Sequence, residues 1–328
     1  MKKTMLCLLL LNLSLFSQNY IEKLYEAIEN NDIEKIEDIV NKYDIDLNNT
    51  FLIKEQSAMG ATFESEYLKL TPLNYSIECN NLEAVNAIIK LGANIEHKTE
   101  CKPVYGYSDY IYSFTPLMYC VNSREDTEKI VSFLIQNGAN INSQNRYGTT
   151  ALMYACCSQN RNECNINAAR ILMNAGANIH TKDNEGKTSL MYAAYSHDSE
   201  CVDLLIKNKA DIDLKDKNKR SALMYACMGS NWGLYSDINP DVLKLLINAG
   251  ASINEIDEEG NTALLYAVDV YRHSFDFCSD DDEINIYGAI KLLIDNGANV
   301  NIKNKDGKSA LSLSRGRLTK LLIDSGAY

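Results

Sequence analysis

The segment Thr188-Ser-Leu-Met-Tyr-Ala193 and its copy Ser221-Ala-Leu-Met-Tyr-Ala226 decide the fold, because they share one pattern and lie 33 positions apart. Versions of this six-residue phrase open at seven places in the chain: Thr71, Thr115, Thr150, Thr188, Ser221, Thr262 and, in a weaker form, Ser309. A second phrase, Gly-Ala-Asn-Ile or a close variant, begins at Gly92, Gly138, Gly176, Gly250 and Gly297. A recurring period of this kind indicates a fold built from stacked modules.

Each phrase has the features of a helix start. A Thr or Ser side chain can cap a helix by accepting a hydrogen bond from an unpaired backbone N–H group, and Pro72 and Pro116 fit the first helical turn. The segments before the later glycines, such as 242–247, have apolar residues at helical spacing. A glycine can then adopt the left-handed conformation that ends a helix. The sequence therefore predicts two helices in each repeat.

The repeated phrase resembles the ankyrin repeat, which has a period of 33 residues and the signature T-P-L-H-x-A. The resemblance covers roughly residues 20–328 and implies an all-α, ankyrin-repeat solenoid of stacked helix pairs with short hairpin-like fingers. We place one ankyrin-repeat domain at 18–328 and count eight repeats in it. The first repeat spans about 20–48, full repeats have motifs that start at 71, 115, 150, 188, 221 and 262, and the terminal repeat spans 304–328.

The chain departs from the family phrase in two respects. The fourth letter, usually His, is Asn, Met or Leu in the six stronger copies. In the family that His bonds within the finger, so we expect less rigid fingers here. Lys209 and Lys219 stand where glycines are expected between the fifth and sixth repeats. A lysine at positive φ is strained, and we expect this junction to be a weak point of the stack.

The N-terminus has the pattern of a signal peptide. Lys2 and Lys3 precede a 12-residue apolar run from Met5 to Phe16, which is short for a membrane span, and polar residues follow. We expect a signal peptide at 1–17, export to the periplasm, the surface or the medium, and no membrane span after cleavage. A cytoplasmic protein with an uncleaved N-terminus is the alternative, and the nine cysteines outside the signal peptide favour it.

No cofactor, metal site or catalytic group is expected from the residue pattern. The cysteines lack the spacing of zinc ligands, and the four histidines form no convincing triad with Ser or Cys. The repeats leave no room for a catalytic domain. A net charge of −12 repels phosphate backbones, which argues against nucleic acid as a partner.

The predicted function is that of a non-enzymatic protein–protein interaction module, exported and monomeric, with a protein partner of unknown identity. The resemblance implies that the first helix of each pair lines a concave face, which the fingers extend. Such a preformed face loses little entropy on binding. The alternative is an intracellular ankyrin scaffold or a regulatory subunit of an enzyme.

Insertions and finger tips are the places where we expect partner contacts, because extra residues must project from a stack of fixed spacing. Aromatic rings dominate interface anchors. Rings in an insertion also serve local packing, and both interpretations stay open for the tyrosine-rich finger after Gly92. The predicted partner-binding residues are Tyr105, Tyr107, Tyr110, Tyr112, Arg146, Tyr147, Asn184, Glu185, Trp232, Tyr235, Glu258 and Glu259.

Two recurring residue types favour structural roles instead. The tyrosine of each phrase occupies one fixed place in its helix, so we expect it to pack between repeats: Tyr75, Tyr119, Tyr154, Tyr192, Tyr225 and Tyr266. Cys120, Cys156 and Cys227 stand where other copies have alanine, which predicts small core residues.

Overall fold

The computed structural model describes residues 19–54, 67–101, 112–123, 127–157, 164–229, 238–274 and 280–328. These residues form eight helix pairs. The chain divides into two units, residues 1–146 and 147–328. The predicted signal peptide, 1–17, lies outside the described residues. Among the helices described, none combines the length and apolar character that a membrane crossing requires.

The first unit contains three helix pairs and two β-hairpins. Its helices are α1 (19–29), α2 (Ile33–Tyr43), α3 (Pro72–Glu78), α4 (Leu82–Lys90), α5 (Pro116–Ser123) and α6 (Glu128–Gln136). Its antiparallel strands are β1 (Phe51–Lys54) with β2 (Tyr67–Leu70), and β3 (Thr99–Cys101) with β4 (Tyr112–Phe114). Helix α3 packs on α5, whereas α4 packs on α2 and α6, so the first and second helices form separate layers.

The second unit contains five helix pairs. Its helices are α7 (Ala151–Ala155), α8 (Ile166–Asn174), α9 (Ser189–Tyr195), α10 (Ser199–Lys207), α11 (Ala222–Ala226), α12 (Pro240–Asn248), α13 (Ala263–Ser274), α14 (Asp280–Asp295), α15 (Ala310–Leu313) and α16 (Arg317–Asp324). The layer of first helices runs α7, α9, α11, α13 and α15. The layer of second helices includes α8, α10, α12 and α14 in order.

The predicted helix signals are confirmed at nearly every repeat. The Thr or Ser side chain accepts a hydrogen bond from the backbone N–H three residues later, at 3.1–3.4 Å, in six of the seven phrases. Thr188 makes no such side-chain cap. The glycines that follow the second helices have φ between 90° and 103°, the left-handed region in which a side chain would be strained.

The leucine of each phrase supplies the core of its repeat. The first six copies, Leu73, Leu117, Leu152, Leu190, Leu223 and Leu264, are at most 2% exposed. Burial of one such side chain stabilises the fold by about 1.5–3 kcal/mol. Because a helix pair cannot cover these side chains alone, each repeat depends on its neighbours, as expected for a stacked fold.

Lys209 and Lys219 adopt the strained conformation that the sequence predicts, with φ of 65° and 62°. Lys219 belongs to the finger between α10 and α11, and its backbone N–H donates to the Asp216 carbonyl at 3.0 Å. The missing glycines therefore leave the geometry of this junction unchanged, and the strain remains in the lysine backbone.

Candidate partner-binding site

Backbone hydrogen bonds join the finger tips of the second unit into one row. The N–H groups of Asn184 and Lys217 donate to the carbonyls of Tyr147 and Glu185, at 2.8 and 2.9 Å. The row continues where Glu258 donates to Asn218 and Lys305 to Glu259, both at 2.9 Å. These bonds use the main chain alone and leave the Asn184, Glu185, Glu258 and Glu259 side chains exposed to solvent.

Gly186 permits this close approach of neighbouring fingers. A Cβ atom at this position would lie 2.9 Å from the backbone nitrogen of Lys217. Its φ of 83° is also unfavourable for residues with a side chain. Gly186 is thus required for two reasons: its backbone conformation strains any side chain, and a side chain would collide with the backbone of the next finger.

An aspartate at the base of three fingers of the second unit organises both the turn and the helix that follows. Asp183, Asp216 and Asp257 each accept two backbone N–H bonds within their own finger, at 2.7–2.9 Å. The other carboxylate oxygen accepts the hydroxyl of the tyrosine nine residues later, at 2.5–2.7 Å. The three pairs are Asp183 with Tyr192, Asp216 with Tyr225, and Asp257 with Tyr266.

This arrangement corrects the expectation of loose fingers. Each aspartate lies five positions before the opening Thr or Ser of its phrase and supplies hydrogen bonds in place of the missing His, so these three fingers are fixed by a different residue. In the first unit Tyr75 donates to Glu29 and Tyr119 to Glu78. The recurring tyrosines therefore pack as predicted, but they are hydrogen-bonding residues as well.

A pocket of about 420 Å³ lies in the layer of first helices of the second unit. It lies between α9, α11 and α13, and its wall is mostly aromatic and sulfur-containing. The lining side chains include Met191, Tyr192, Tyr195, Tyr225, Met228 and Tyr266. The rings of Tyr195 and Tyr225 meet edge to face with centroids 6.1 Å apart. Such a wall offers a large contact area to an apolar side chain.

Two cations stand at the finger side of this pocket. The Lys187 ammonium lies 5.8 Å from the ring centroids of both Tyr192 and Tyr225, and the Arg220 guanidinium lies 5.1 Å from the Tyr225 centroid. Arg220 also forms an ion pair with the buried Asp216 carboxylate at 2.9 Å. Lys187 lines the pocket together with Asp269, so the lining carries one carboxylate as well as the two cations.

Three tyrosines of the pocket, each bound to an aspartate, stay neutral over the ordinary pH range. Burial raises the pKa of Tyr192, Tyr225 and Tyr266 above the usual 10.0, and the adjacent aspartates raise the pKa further. A neutral hydroxyl can donate to the aspartate, whereas a phenolate would repel it. The pocket wall therefore keeps its apolar character and its hydrogen bonds together.

The predicted contact residues fall into three groups. Tyr105, Tyr107, Tyr110, Trp232 and Tyr235 lie outside the described residues. Tyr112 begins β4, and Arg146, in the first unit, is exposed with its guanidinium 3.6 Å from the Glu100 carboxylate. The remaining residues belong to the row of finger tips in the second unit: Tyr147, Asn184, Glu185, Glu258 and Glu259.

The pocket itself was missed by sequence reasoning, although a signal existed. The sequence pattern assigns the recurring tyrosines to packing alone and does not single out Tyr195. Alignment of the repeats places Tyr195 and Met228 at the same position, seven residues after the opening Thr or Ser of the phrase and at or just after the end of the first helix.

A second feature was also missed, a cluster of cysteines behind the first helices. One ligand atom from each of Cys164, Asp198 and Cys201 lies within 4.8 Å of the other two. The residues come from adjacent repeats, so their separation in sequence hides their proximity. Cys156, predicted as a small core residue, is indeed fully buried, and its thiol also hydrogen-bonds Cys201.

Family models of the ankyrin repeat match most of the chain. The three-copy model matches residues 24–145, 101–183, 161–238 and 190–279, and the single-repeat model matches 259–305. The chain belongs to the ankyrin-repeat family. Ankyrin repeats are modules for protein–protein interaction. In this chain each repeat consists of the helix pair and finger described above.

Curated relatives share parts of this ankyrin-repeat chain. Human Inversin is 28% identical over 155 residues, which cover 47% of this chain and 13% of Inversin. The putative ankyrin repeat protein R841 of Acanthamoeba polyphaga mimivirus is 32% identical over 156 residues, or 45% of this chain and 25% of the viral protein. The match thus spans a small part of either relative.

Solved ankyrin-repeat structures share the fold. The ankyrin repeat domain of Bcl-3, described as a member of the IkappaB protein family, has a TM-score of 0.53 and 24% identity. The human ASB11 ankyrin repeat domain has a TM-score of 0.56 and 23% identity. Each similarity covers 78% of this chain and 98% of the solved domain.

Proposed function

We propose that this ankyrin-repeat chain is a non-enzymatic binding module that recognises a protein partner through the second unit. The observation that carries the proposal is the aromatic pocket between α9, α11 and α13, with the row of finger tips beside it. Aromatic and methionine side chains on a rigid scaffold are typical of the centres of protein interfaces.

The chemistry of the pocket indicates which part of a partner it would accept. Its rings and sulfur atoms fit one large apolar side chain, and Lys187 would meet a carboxylate next to that side chain. Arg220 already forms an ion pair with Asp216, so we expect it to line the pocket rather than to bind a carboxylate of the partner. We therefore expect an anchor motif that combines a bulky apolar residue with an adjacent Asp or Glu.

The finger tips extend this surface with the opposite charge. Glu185, Glu258 and Glu259 are exposed along the row, and the whole chain carries −12. Basic groups on the partner, outside its anchor motif, would be steered towards these tips. We include the aromatic residues of the insertions, the four tyrosines from Tyr105 to Tyr112 with Trp232 and Tyr235, as further contacts. We further propose that the partner is a protein, that the chain acts as a monomer and that it does not bind nucleic acid.

Export remains part of the proposal. The charged and apolar residues of 1–17 support a cleaved signal peptide, whereas a cytoplasmic scaffold or regulatory subunit is the alternative. Mass spectrometry of the protein from its native cell would distinguish them. A mature N-terminus near Gln18 is expected, and an intact chain that keeps Lys2 and Lys3 would reject export.

Site-directed photo-crosslinking tests the binding surface. A photoreactive amino acid at Tyr195, in the pocket wall, is expected to give a discrete adduct with the partner in the native cell. The same amino acid at Lys244, exposed on α12 in the layer of second helices, is the matched control. An adduct that forms from Lys244 and not from Tyr195 would place the interface elsewhere and reject the proposal.

A further inference from the structure

We propose that the second unit contains a zinc site made by Cys164, Asp198 and Cys201, with Cys156 as the fourth ligand. The first three residues bring two sulfur atoms and one carboxylate oxygen within 4.8 Å of one another. Zinc in proteins takes four ligands of these types in a tetrahedron, with bonds of about 2.0–2.3 Å. Ligand atoms then lie about 3.3–3.8 Å apart, so shifts of about 1 Å would bring these three into place. The Cys156 thiol, which hydrogen-bonds Cys201, would then have to move in as the fourth ligand.

The hydrogen bonds of the cluster already orient its ligands. Asp198 caps α10, and its two oxygens accept the N–H groups of Cys201 at 2.8 Å and Cys164 at 3.3 Å. A carboxylate has about four acceptor positions, so two remain for a cation. The Cys201 thiol hydrogen-bonds those of Cys156 and Cys164, which makes it the centre of the cluster.

Burial and access both suit a structural metal. Cys156 and Cys201 are fully buried and Cys164 is 8% exposed, whereas Asp198 is half-buried and opens the cluster to solvent. Hydrogen bonds with neighbouring thiols, and then burial, raise the pKa of Cys164 and Cys201, and the nearby Asp198 carboxylate raises it further. Each ligating thiol would lose its S–H proton to the solvent as its sulfur bonds to Zn²⁺.

The cysteine at the equivalent position of another repeat shows how this cluster differs from an ordinary buried cysteine. Cys227 follows the last residue of α11 as Cys156 follows the last residue of α7, and it is equally buried, but among the described residues it has no thiol neighbour. Three thiols and a carboxylate converge only where the fourth and fifth repeats meet in the described part of the chain. A metal there would tie the start of α8 to the start of α10.

The test uses the full chain, purified with reduced thiols and freed of metal by a chelator. Titration with Zn²⁺ against a chromophoric chelator is expected to show one ion per chain, with an apparent Kd on the order of nanomolar or tighter. Up to about three protons should be released for each ion bound. Zinc should also raise the midpoint of thermal unfolding, because it binds the folded chain.

The repeats themselves offer variants that should fold. Cys201→Ala introduces the residue found at the equivalent positions Ala84 and Ala168, and is expected to weaken zinc binding at least about 100-fold. Asp198→Asn keeps a helix cap of the type seen at Asn81 and Asn165, and should weaken binding about 10- to 100-fold. Cys227→Ala is the control and should bind zinc as the unmodified chain does.

Circular dichroism of each variant without metal verifies that it has folded. A reduced, folded chain that takes up no zinc would overturn the proposal. So would zinc binding that is equally strong in Cys201→Ala and in Cys227→Ala, since the ion would then be held elsewhere. Failure of this site would leave the aromatic pocket and the proposed partner function untouched, because no cluster residue lines that pocket.

Discussion

At the scale of the residue, Asp216 shows how one side chain can replace a family feature. Its carboxylate is fully buried and binds two backbone N–H groups of its finger, the Tyr225 hydroxyl and Arg220. A buried carboxylate is costly unless it is fully hydrogen-bonded and paired, and this one is both. The turn, the first helix and the pocket wall therefore depend on a single group.

The pKa values of Tyr192, Tyr225 and Tyr266 predict a dependence of stability on pH. Their pKa is raised above 10.0 in the folded chain, so the fold favours the neutral hydroxyl. The stability that this provides is complete below pH 10 and is lost as the pH rises above 10 towards the folded-state value. Urea denaturation from pH 8 to pH 11 should show a falling midpoint over the upper part of this range.

The variant Tyr225→Phe assigns this effect to a residue. Loss of the hydroxyl bond to a buried carboxylate should lower the free energy of unfolding by about 1.5–3 kcal/mol at pH 7. The decline above pH 10 should become shallower, because one titrating group is gone. Tyr287→Phe is the control, since the Tyr287 ring packs on Tyr271 and Arg317 but its hydroxyl has no bonded partner among the described residues. Equal losses in the two variants would contradict the role given to Asp216.

At the scale of the element, the helices could be predicted and part of the fingers could not. Capping Thr or Ser residues, the leucine core and terminal glycines are local signals, and each helix pair lies where they indicate. The Asp183–Tyr192 bond joins residues nine positions apart, across a turn and a helix start, so no local pattern reveals it. The partners Cys164 and Cys201 belong to different repeats, and their contact depends on the stacking itself.

The junction between the fifth and sixth repeats is the element whose stability should be easiest to improve. Glycine at Lys209 or Lys219 would relieve a left-handed backbone, which costs a side-chain-bearing residue about 1–2 kcal/mol. After the entropy cost of glycine in the unfolded chain, we expect each variant to gain about 0.5–1 kcal/mol. Urea denaturation followed by circular dichroism measures the gain.

Lys217→Gly is the matched control for these two variants. Lys217 lies in the same finger but is absent from the residues of positive φ, so glycine there should bring no gain and a small loss. If glycine at Lys209 and Lys219 lowers stability as much as glycine at Lys217, then the two lysines are not strained.

At the scale of the whole molecule, regular stacking leaves little of the chain available to specify a partner. The helix pairs use their apolar residues on each other, and the features that differ between repeats are the pocket, the charged tips and the insertions. The sequence predicts the insertions because they interrupt the period, and the tips because fingers extend the surface of a stacked fold. The pocket is formed by residues at regular repeat positions, so the sequence pattern does not mark it. It exists only because α9, α11 and α13 lie next to one another in the fold.

The most direct test of the proposed function is the affinity of the crosslinked partner, once purified, for three forms of the chain, measured by isothermal titration calorimetry. Tyr195→Ser removes an aromatic wall of the pocket and is expected to weaken binding at least about tenfold, in the range of interface hot spots. Lys244→Ser, on the second-helix layer, should bind as tightly as the unmodified chain. Unchanged affinity in Tyr195→Ser, or an equal loss in Lys244→Ser, would contradict the account.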